Sequence, residues 1–169
     1  MVFQFSERDP ERFQEWVAHV RTAFPDLRTV RSVYRPEDRT RYVMLCYENG
    51  LEVPAWAASE GTLRLLALTI LAYAPNSDQV FLIEEPENGI HPGAVESVYQ
   101  SLSSVYEGQV LAATHSPVLL AAARAEEILC FTRTADGAAT VVRGSEHPAL
   151  QDWHNEVSLG VLLGSGVLG

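Results

Sequence analysis

The sequence contains no lysine: all 12 of its basic residues are arginine, against 22 acidic residues, which leaves a formal net charge of −10. A phosphate-binding loop of the Gly-x-x-x-x-Gly-Lys type needs a lysine ammonium, so no such loop can lie in this chain. The acidic balance also makes the chain a poor non-specific binder of nucleic acid by itself, because phosphate neutralisation supplies most of that affinity.

Cysteine and long apolar runs are scarce as well. Cys46 and Cys130 are the only cysteines, and each lies in an apolar, strand-like run, which favours buried free thiols over a disulfide or a metal pair. No apolar run reaches the roughly 18 residues of a membrane span. Residues 1–8 have neither a basic region followed by an apolar stretch nor a cleavage site. We therefore expect a cytoplasmic chain with no membrane contact.

The hydrophobic content of the chain is high. Of its 169 residues, 47% are hydrophobic, which is ample for a real core and excludes disorder. The length predicts one compact domain or one lobe of something larger.

Residues 1–54 predict a helix followed by a β-rich extension. Asp9 and Pro10 are typical of a helix start. Strands are predicted at residues 29–34, 42–48 and 51–53. Asn49-Gly50 is the strongest short hairpin signal.

Residues 55–169 predict a second domain of a different kind. Helices and strands alternate there, which indicates an α/β fold with a largely parallel sheet flanked by helices. Ser59 can cap a long helix that is apolar nearly all round and reaches about residue 74. Further strands are predicted at residues 80–83, 109–113 and 128–132, with helices at 92–106 and 117–123. A hairpin turn at 136–137 is predicted to lead into a strand at 140–142. Because 80–83 is a continuous apolar run, we expect a central strand covered on both faces, and a second buried strand at 109–113.

Polar residues follow two of these strands where each ends. Glu84 and Glu85 come directly after strand 80–83, and His115 follows strand 109–113. Ligands of open α/β sheets bind beyond the carboxyl ends of the strands. One carboxylate could hold Mg²⁺ and the other orient or deprotonate a water, while the imidazole could donate to a γ-phosphate. A solvated acidic loop and a structural histidine are the alternatives.

The start of the long helix is a further candidate site, for an anion. Ser59-Glu60-Gly61-Thr62 offers free N–H groups at the positive end of the helix dipole, with no side chain in the way at the glycine. The alternative is that Ser59 acts only as an N-cap.

Three segments in this order carry a resemblance to a known family. They are Ser59-Glu60-Gly61-Thr62, the segment from Val80 to Pro92, and Ala113-Thr114-His115-Ser116-Pro117. Together they resemble the carboxyl-terminal lobe of an ABC-type ATPase, of the SMC-like and OLD-like (AAA-type) group found in DNA repair and anti-phage defence. The match spans about residues 55–134.

The resemblance implies a nucleotide contact made across a dimer. Ser59, Glu60 and Gly61 stand where the family's signature motif grips the γ-phosphate of ATP held by the opposite protomer. Asn88 falls where the family's D-loop crosses the dimer interface. The Ser-Glu-Gly-Thr form differs from that of transporters, which argues against a membrane-transport subunit.

The resemblance also implies the chemistry. Glu84 stands at the Walker B position that serves Mg²⁺, although aspartate is usual there. Glu85 matches the catalytic glutamate that polarises the attacking water, and His115 matches the switch histidine that senses the γ-phosphate.

The family's P-loop belongs to an amino-terminal lobe that this chain lacks. We therefore expect ATP and Mg²⁺ as cofactors, a partner lobe or polypeptide that supplies the P-loop, and a homodimer or higher oligomer of the complete ATPase. The isolated chain is expected to be inactive.

Other functions stay open at this point. DNA or RNA is a candidate partner, since five arginines cluster within residues 28–41, although exposed arginines are usually a matter of solubility. A non-enzymatic regulatory or assembly subunit of such an ATPase is the alternative function. A metal-dependent nuclease built on Glu84, Glu85 and Glu87 would need another acidic residue converging from a different element.

Overall fold

The structure is a computed structural model that describes residues 2–73, 79–150 and 157–167. The chain forms two compact units, Met1–Ala113 and Thr114–Gly169. The domain boundary predicted after residue 54 rests on the motifs in the sequence and not on compactness. It stays a prediction.

The elements of each unit mix helices with strands, so the chain has the predicted α/β class. The first unit contains α1 (Val2–Arg8), α2 (Pro10–Ala23), β1 (Leu27–Arg35), β2 (Thr40–Tyr47), β3 (Glu52–Pro54), α3 (Glu60–Thr69), β4 (Gln79–Glu84), α4 (Pro92–Ser103) and β5 (Gly108–Ala113). The second unit contains α5 (Pro117–Ala122), β6 (Leu129–Arg133), β7 (Ala139–Arg143) and α6 (Leu159–Gly164). Within the described ranges, no helix is long and apolar enough to span a membrane.

The first three strands form the predicted β-rich extension. They pair as an antiparallel sheet in the order β1-β2-β3. The turn at Asn49-Gly50 joins β2 to β3, and the Asn49 side chain accepts a hydrogen bond from the Leu51 amide at 3.0 Å. Local turn chemistry therefore sets this hairpin, as the sequence predicts.

The core of the first unit lies between α2, α3 and α4. Asp9 caps α2 as predicted, accepting from the Arg12 amide at 3.1 Å. The apolar face of α2 is buried, and the Trp16 indole N–H donates to the Thr69 hydroxyl at 3.0 Å, with both residues fully buried. This bond satisfies both the Trp16 indole and the Thr69 hydroxyl inside the core and fixes α2 against the end of α3.

Helix α3 is shorter than predicted. It ends at Thr69 and continues as a 3₁₀ turn over Ile70–Ala72. Ala67 is exposed and Leu63 is half-buried, so the expectation of burial nearly all round is wrong on one side of the helix. The Thr69 hydroxyl donates back to the Leu65 carbonyl at 2.7 Å, a competing bond that favours a tighter turn at this end.

Strands β4 and β5 pair in parallel, with Leu82 opposite Leu111 and Glu84 opposite Ala113. The expectation that these strands are buried on both faces is wrong, because Val80 is 58% exposed, Leu82 78% and Leu111 45%. The opposite face, which carries Phe81, is half-buried. A run of apolar residues indicates that both faces of a strand need to be buried. It does not indicate whether residues of this chain bury them.

The second unit contains a small core of its own, centred on Cys130, Leu150 and Leu159. Strand β6 pairs antiparallel with β7, which confirms the hairpin predicted at residues 136–137. The expectation that β6 also extends the parallel sheet is wrong, because β6 and β7 form a separate two-stranded sheet. The tight turn at residues 136–137 is the reason, since it returns the chain directly alongside β6. Helices α5 and α6 pack closely: a Cβ at Gly160 would lie 2.0 Å from the Pro117 carbonyl oxygen, so only glycine fits there.

Candidate functional site

Ser59 lies at the start of α3 and caps it. Its hydroxyl accepts from the Thr62 amide at 3.1 Å and lies 2.8 Å from the Thr62 hydroxyl. Ser59 and Glu60 are both exposed. The N-cap is therefore present as predicted, and the capped helix end faces solvent, where an anion could approach. A role of Ser59 and Glu60 in nucleotide binding stays a prediction.

Gly61 brings the first turn of α3 against the loop that follows β4. A Cβ at Gly61 would lie 2.2 Å from the Gly89 carbonyl oxygen, inside any real contact distance. The absent side chain thus lets the two backbones touch. The signature-like segment and the segment after the paired carboxylates are in direct contact.

The chain turns sharply where β4 ends. Glu84 is the last residue of the strand, and Glu85 has a left-handed backbone, with φ of +45°. The Glu85 amide donates to the Ala113 carbonyl at 2.8 Å, which ties it to the end of β5, and Pro86 is fully buried. A non-glycine residue in this region is held by its surroundings. The turn leaves Glu84 exposed and Glu85 half-exposed at the carboxyl edge of the parallel pair.

Arg64 of α3 connects the two segments. One of its terminal nitrogens, Nη2, donates to the Glu84 carbonyl at 3.0 Å and to the Glu85 carbonyl at 2.7 Å. The Glu85 carbonyl also accepts from the Asn88 amide at 3.0 Å. No motif in the sequence marks Arg64; the signal that could have found it is a single charged residue among the apolar residues 63–71.

The remaining predicted residues occupy different surroundings. Asn88 is exposed in the loop between β4 and α4. His115 is exposed and lies in the second unit, separated from the last residue of β5 only by Thr114. The assembly of His115 with the carboxylates stays a prediction. His91, within the second matching segment, caps α4 by accepting from the Gly93 amide at 3.1 Å.

The carboxylates of Glu84 and Glu85 at the end of β4 are suitable ligands for a Mg²⁺ ion that is shared with a phosphate group. Among the described residues, no three side chains of histidine, cysteine, aspartate or glutamate converge as a metal group. A protein-only cage is therefore not formed there, and the convergent acid that a nuclease needs is not found in that part of the chain. Mg²⁺ is commonly held by one or two carboxylates together with phosphate oxygens and water, and Glu84 with Glu85 offers such carboxylates.

The arginines of the β-rich extension are largely paired with acidic residues. Arg31 donates to the Cys46 sulfur at 3.2 Å and to Glu52 at 2.6 Å, and the Cys46 bond raises the pKa of Arg31. Arg35 binds Asp38 and holds the pKa of that carboxyl well below its usual range. A third ion pair of 2.7 Å joins Arg41 to Glu7. These pairs offset the positive charge that a nucleic-acid interface would use.

The parallel strand pair, the paired carboxylates at its carboxyl edge and the capped helix in contact with their loop form one α/β unit. A family model described as "AAA domain, putative AbiEii toxin, Type IV TA system" matches residues 4–121. The chain belongs to this family of AAA-type ATPases. The match confirms the predicted ABC/SMC-like ATPase region. No curated protein matches the chain.

Solved structures share the fold. One belongs to work on ATP-driven dimerization and DNA-stimulated activation of SMC ATPases; it is 18% identical with a TM-score of 0.60, over 84% of this chain and 88% of that one. Another is the Smc head domain of Pyrococcus furiosus with an extended coiled coil, bound to the C-terminal domain of ScpA. It is 20% identical with a TM-score of 0.58, over 82% of this chain and 35% of that one.

Proposed function

We propose that this chain is the ATP-binding and hydrolysis lobe of a dimerising ABC/SMC-like ATPase, in which another segment or polypeptide supplies the P-loop. The observation that carries the proposal is the turn at the end of β4. There the paired carboxylates follow a parallel strand, and Arg64 and Gly61 join their loop to the start of α3. The family match over residues 4–121 supports the same function.

Each residue of the site has a distinct task in this proposal. Glu84 would hold the Mg²⁺ of the nucleotide, and Glu85 would orient and deprotonate the attacking water. His115 would donate a hydrogen bond to the γ-phosphate. When bound, Mg²⁺ would supply positive charge next to the transferring phosphoryl group.

The signature segment acts on the nucleotide of the opposite protomer. Ser59, Glu60 and Gly61 begin a helix whose exposed N–H groups suit the γ-phosphate of ATP held in trans. Asn88 lies in the loop that Gly61 contacts, so it stands close to the same dimer interface. Two such contacts per dimer make ATP the bridge between protomers.

The missing P-loop lobe also explains the uncovered face of the parallel pair. The chain has no lysine for a P-loop, and Val80, Leu82 and Leu111 expose an apolar surface on one side of β4 and β5. A lobe that packs there would bury these side chains and complete a largely parallel sheet. We propose that the P-loop lobe covers this face.

The last part of the proposal concerns the biological process in which the assembled ATPase acts. Acidic composition and the paired arginines give nucleic-acid contact little support from the chain itself. The resemblance to the SMC-like and OLD-like group supports action on DNA or RNA in defence or repair, by the assembled protein rather than by this lobe alone.

Titration of the chain alone tests the proposal that another segment or polypeptide supplies the P-loop. Isothermal titration with ATP and Mg²⁺ should show weak binding, and a phosphate-release measurement should show no hydrolysis, because the P-loop amides and lysine are absent. Stoichiometric binding at low micromolar concentration would contradict the proposed missing lobe.

Substitution of Glu85 in the complete assembly tests the chemistry. Glu85→Gln should lower ATP turnover by about 10²–10⁴-fold, since it removes the water-activating carboxylate, while the ATP-bound dimer persists or becomes longer-lived. Glu107→Gln, an exposed position just before β5, is the matched control and should behave as the unmodified protein. Unchanged turnover in Glu85→Gln would move the catalytic role elsewhere, with Glu87 the first candidate. An assembly that binds ATP without turning it over would indicate the regulatory alternative.

A further inference from the structure

We propose that Arg64 is a positioning residue: its guanidinium holds the left-handed turn at Glu85 and so couples the start of α3 to the water-activating carboxylate. This inference rests on the proposed function, which assigns water activation to Glu85. It deepens that function by adding a residue that acts through the backbone of Glu85.

The hydrogen-bond geometry carries the first step. Successive carbonyls of a regular strand point to opposite sides, because the backbone alternates residue by residue. Here the carbonyls of Glu84 and Glu85 both accept from the same nitrogen of Arg64, at 3.0 and 2.7 Å. They converge because the chain turns at Glu85, where φ is +45°. Relaxation of Glu85 to an extended backbone would turn one carbonyl away from the guanidinium.

The second step concerns what holds the turn. A left-handed backbone at a glutamate persists only when its neighbours fix it. The Glu85 amide bonds to Ala113, and the Glu85 carbonyl accepts from both Asn88 and Arg64. Of these donors and acceptors only Arg64 carries a charge, and charge-assisted hydrogen bonds are the strong ones. Arg64 also belongs to another element, so its position depends on α3.

The third step is the coupling. The first turn of α3 touches the same loop at a second point, where Gly61 packs against the Gly89 carbonyl. Two contacts on one loop make the helix start and the loop move together. A phosphate that binds at the start of α3 therefore acts on the backbone that aims Glu85.

Because Arg64 is partly buried, substitution can distinguish a positioning role of its guanidinium from a purely stabilising one. The Nε of Arg64 is buried and has no hydrogen-bond partner, which is unfavourable for folding. Methionine has a similar length and an apolar end, so it should be accepted in this half-buried site with little loss of stability. Arg64→Met removes the two carbonyl bonds and leaves the packing in place.

The test compares Arg64→Met, Arg64→Lys and Glu85→Gln in the complete ATPase. We expect Arg64→Met to lower kcat by about 10–100-fold, as misplacement of a catalytic group does, with KM for ATP, ATP-dependent dimerisation and melting temperature close to those of the unmodified protein. Arg64→Lys keeps one charged donor and should recover part of kcat. Hydrogen exchange at the Asn88 amide should be faster in the methionine variant and intermediate in the lysine variant.

The outcomes separate the two proposals. Absence of turnover in the unmodified assembly, or full turnover in Glu85→Gln, would overturn the proposed function. An active assembly with an inactive Glu85→Gln and a fully active Arg64→Met would overturn only the role of Arg64. Loss of folding in Arg64→Met together with unchanged kcat in Arg64→Lys would assign the residue to stability and overturn the inference as well. Combining Arg64→Met with Glu85→Gln should slow turnover no further than Glu85→Gln does, since both act on one group.

Discussion

At the residue scale, neighbouring side chains at the start of α3 serve different physical ends. The Ser59 hydroxyl satisfies a backbone amide of the helix, whereas Gly61 contributes by having no side chain, so that two backbones can touch. Ser59 therefore acts through a hydrogen bond, and Gly61 acts by leaving room for the neighbouring backbone. These two roles can be separated by substitution.

Ser59 is tested by a substitution that fills the space in front of the helix. Ser59→Arg should leave the nucleotide affinity of each complete monomer nearly unchanged and block ATP-dependent dimerisation and hydrolysis, because the long side chain occupies the place of the trans phosphate. Light scattering with and without ATP measures the dimer, beside a melting curve.

Ser59→Ala is the matched control for Ser59→Arg. It removes the cap without adding bulk, and should cost about 0.5–2 kcal/mol of stability. If Ser59→Arg protein dimerises on ATP and turns over normally, the signature assignment is wrong.

Gly61→Ala tests the backbone contact. The new methyl group would lie 2.2 Å from a backbone oxygen, which cannot move away as a flexible side chain can. We expect the free energy of unfolding to fall by about 1–3 kcal/mol, measured by urea denaturation. Gly164→Ala, where a Cβ meets nothing within 4 Å, is the control. Alanine favours a helix more than glycine at both positions, so a Gly61→Ala protein no less stable than the Gly164→Ala protein would show that the backbone contact does not set the cost.

At the scale of elements, the exposed face of β4 and β5 is the surface that the proposed P-loop lobe would cover. Leu82 is 78% exposed, so Leu82→Asp should change the stability of the isolated chain by less than about 0.5 kcal/mol. In the complete ATPase the same substitution should weaken association with the P-loop lobe, because it buries an unpaired carboxylate. Co-purification measures the association with the P-loop lobe, and thermal melting measures the stability of the isolated chain.

Leu51→Asp is the control for Leu82→Asp, since Leu51 is also exposed, at 54%, and belongs to the hairpin of the antiparallel sheet rather than to β4 or β5. Loss of association in both variants, or in neither, would remove the support for a P-loop lobe on β4 and β5.

The elements that could be predicted from the sequence are those set by local chemistry. Asp9 and Ser59 mark helix starts, and Asn49-Gly50 marks a hairpin, because each satisfies or bends the backbone within a few residues. The paired carboxylates after β4 are also local, since they follow directly from an apolar run.

What could not be predicted depends on partners distant in the sequence. Cover over Val80 and Leu82 is a property of whatever packs there. The hairpin of β6 and β7 is local and could be predicted, whereas the placement of β6 outside the parallel sheet could not. The bond from Arg64 to Glu85 needs the helix and the loop to be placed in space. Helix α1 begins without a capping motif, and nothing in its composition marked it in advance.

At the scale of the whole molecule, each compact unit contains one buried thiol. Cys46 is fully buried in the first unit, and Cys130 is 8% exposed in the second. Burial also raises the pKa of the Cys130 thiol, which keeps it protonated and slow to react while the unit is folded. The two thiols therefore report the opening of the two units separately.

Thiol labelling across a urea series should show Cys130 reacting at lower urea than Cys46. The second unit has a small core of Cys130, Leu150 and Leu159, and small units bury too little apolar surface to be very stable. Single Cys46→Ala and Cys130→Ala variants assign each signal. Simultaneous labelling of both thiols would show that the chain unfolds as one cooperative body.

The uncovered strand pair also has a consequence for the cell that makes this protein. A lobe that presents Val80, Leu82 and Leu111 to water attracts other apolar surfaces until its own partner arrives. If the proposed P-loop lobe is a separate polypeptide, synthesis of the two lobes would have to be balanced, because surplus copies of this chain would become substrates for proteases or enter aggregates. Co-expression with that lobe should then raise the soluble yield of this chain, and gene dosage would become part of how the complex is assembled.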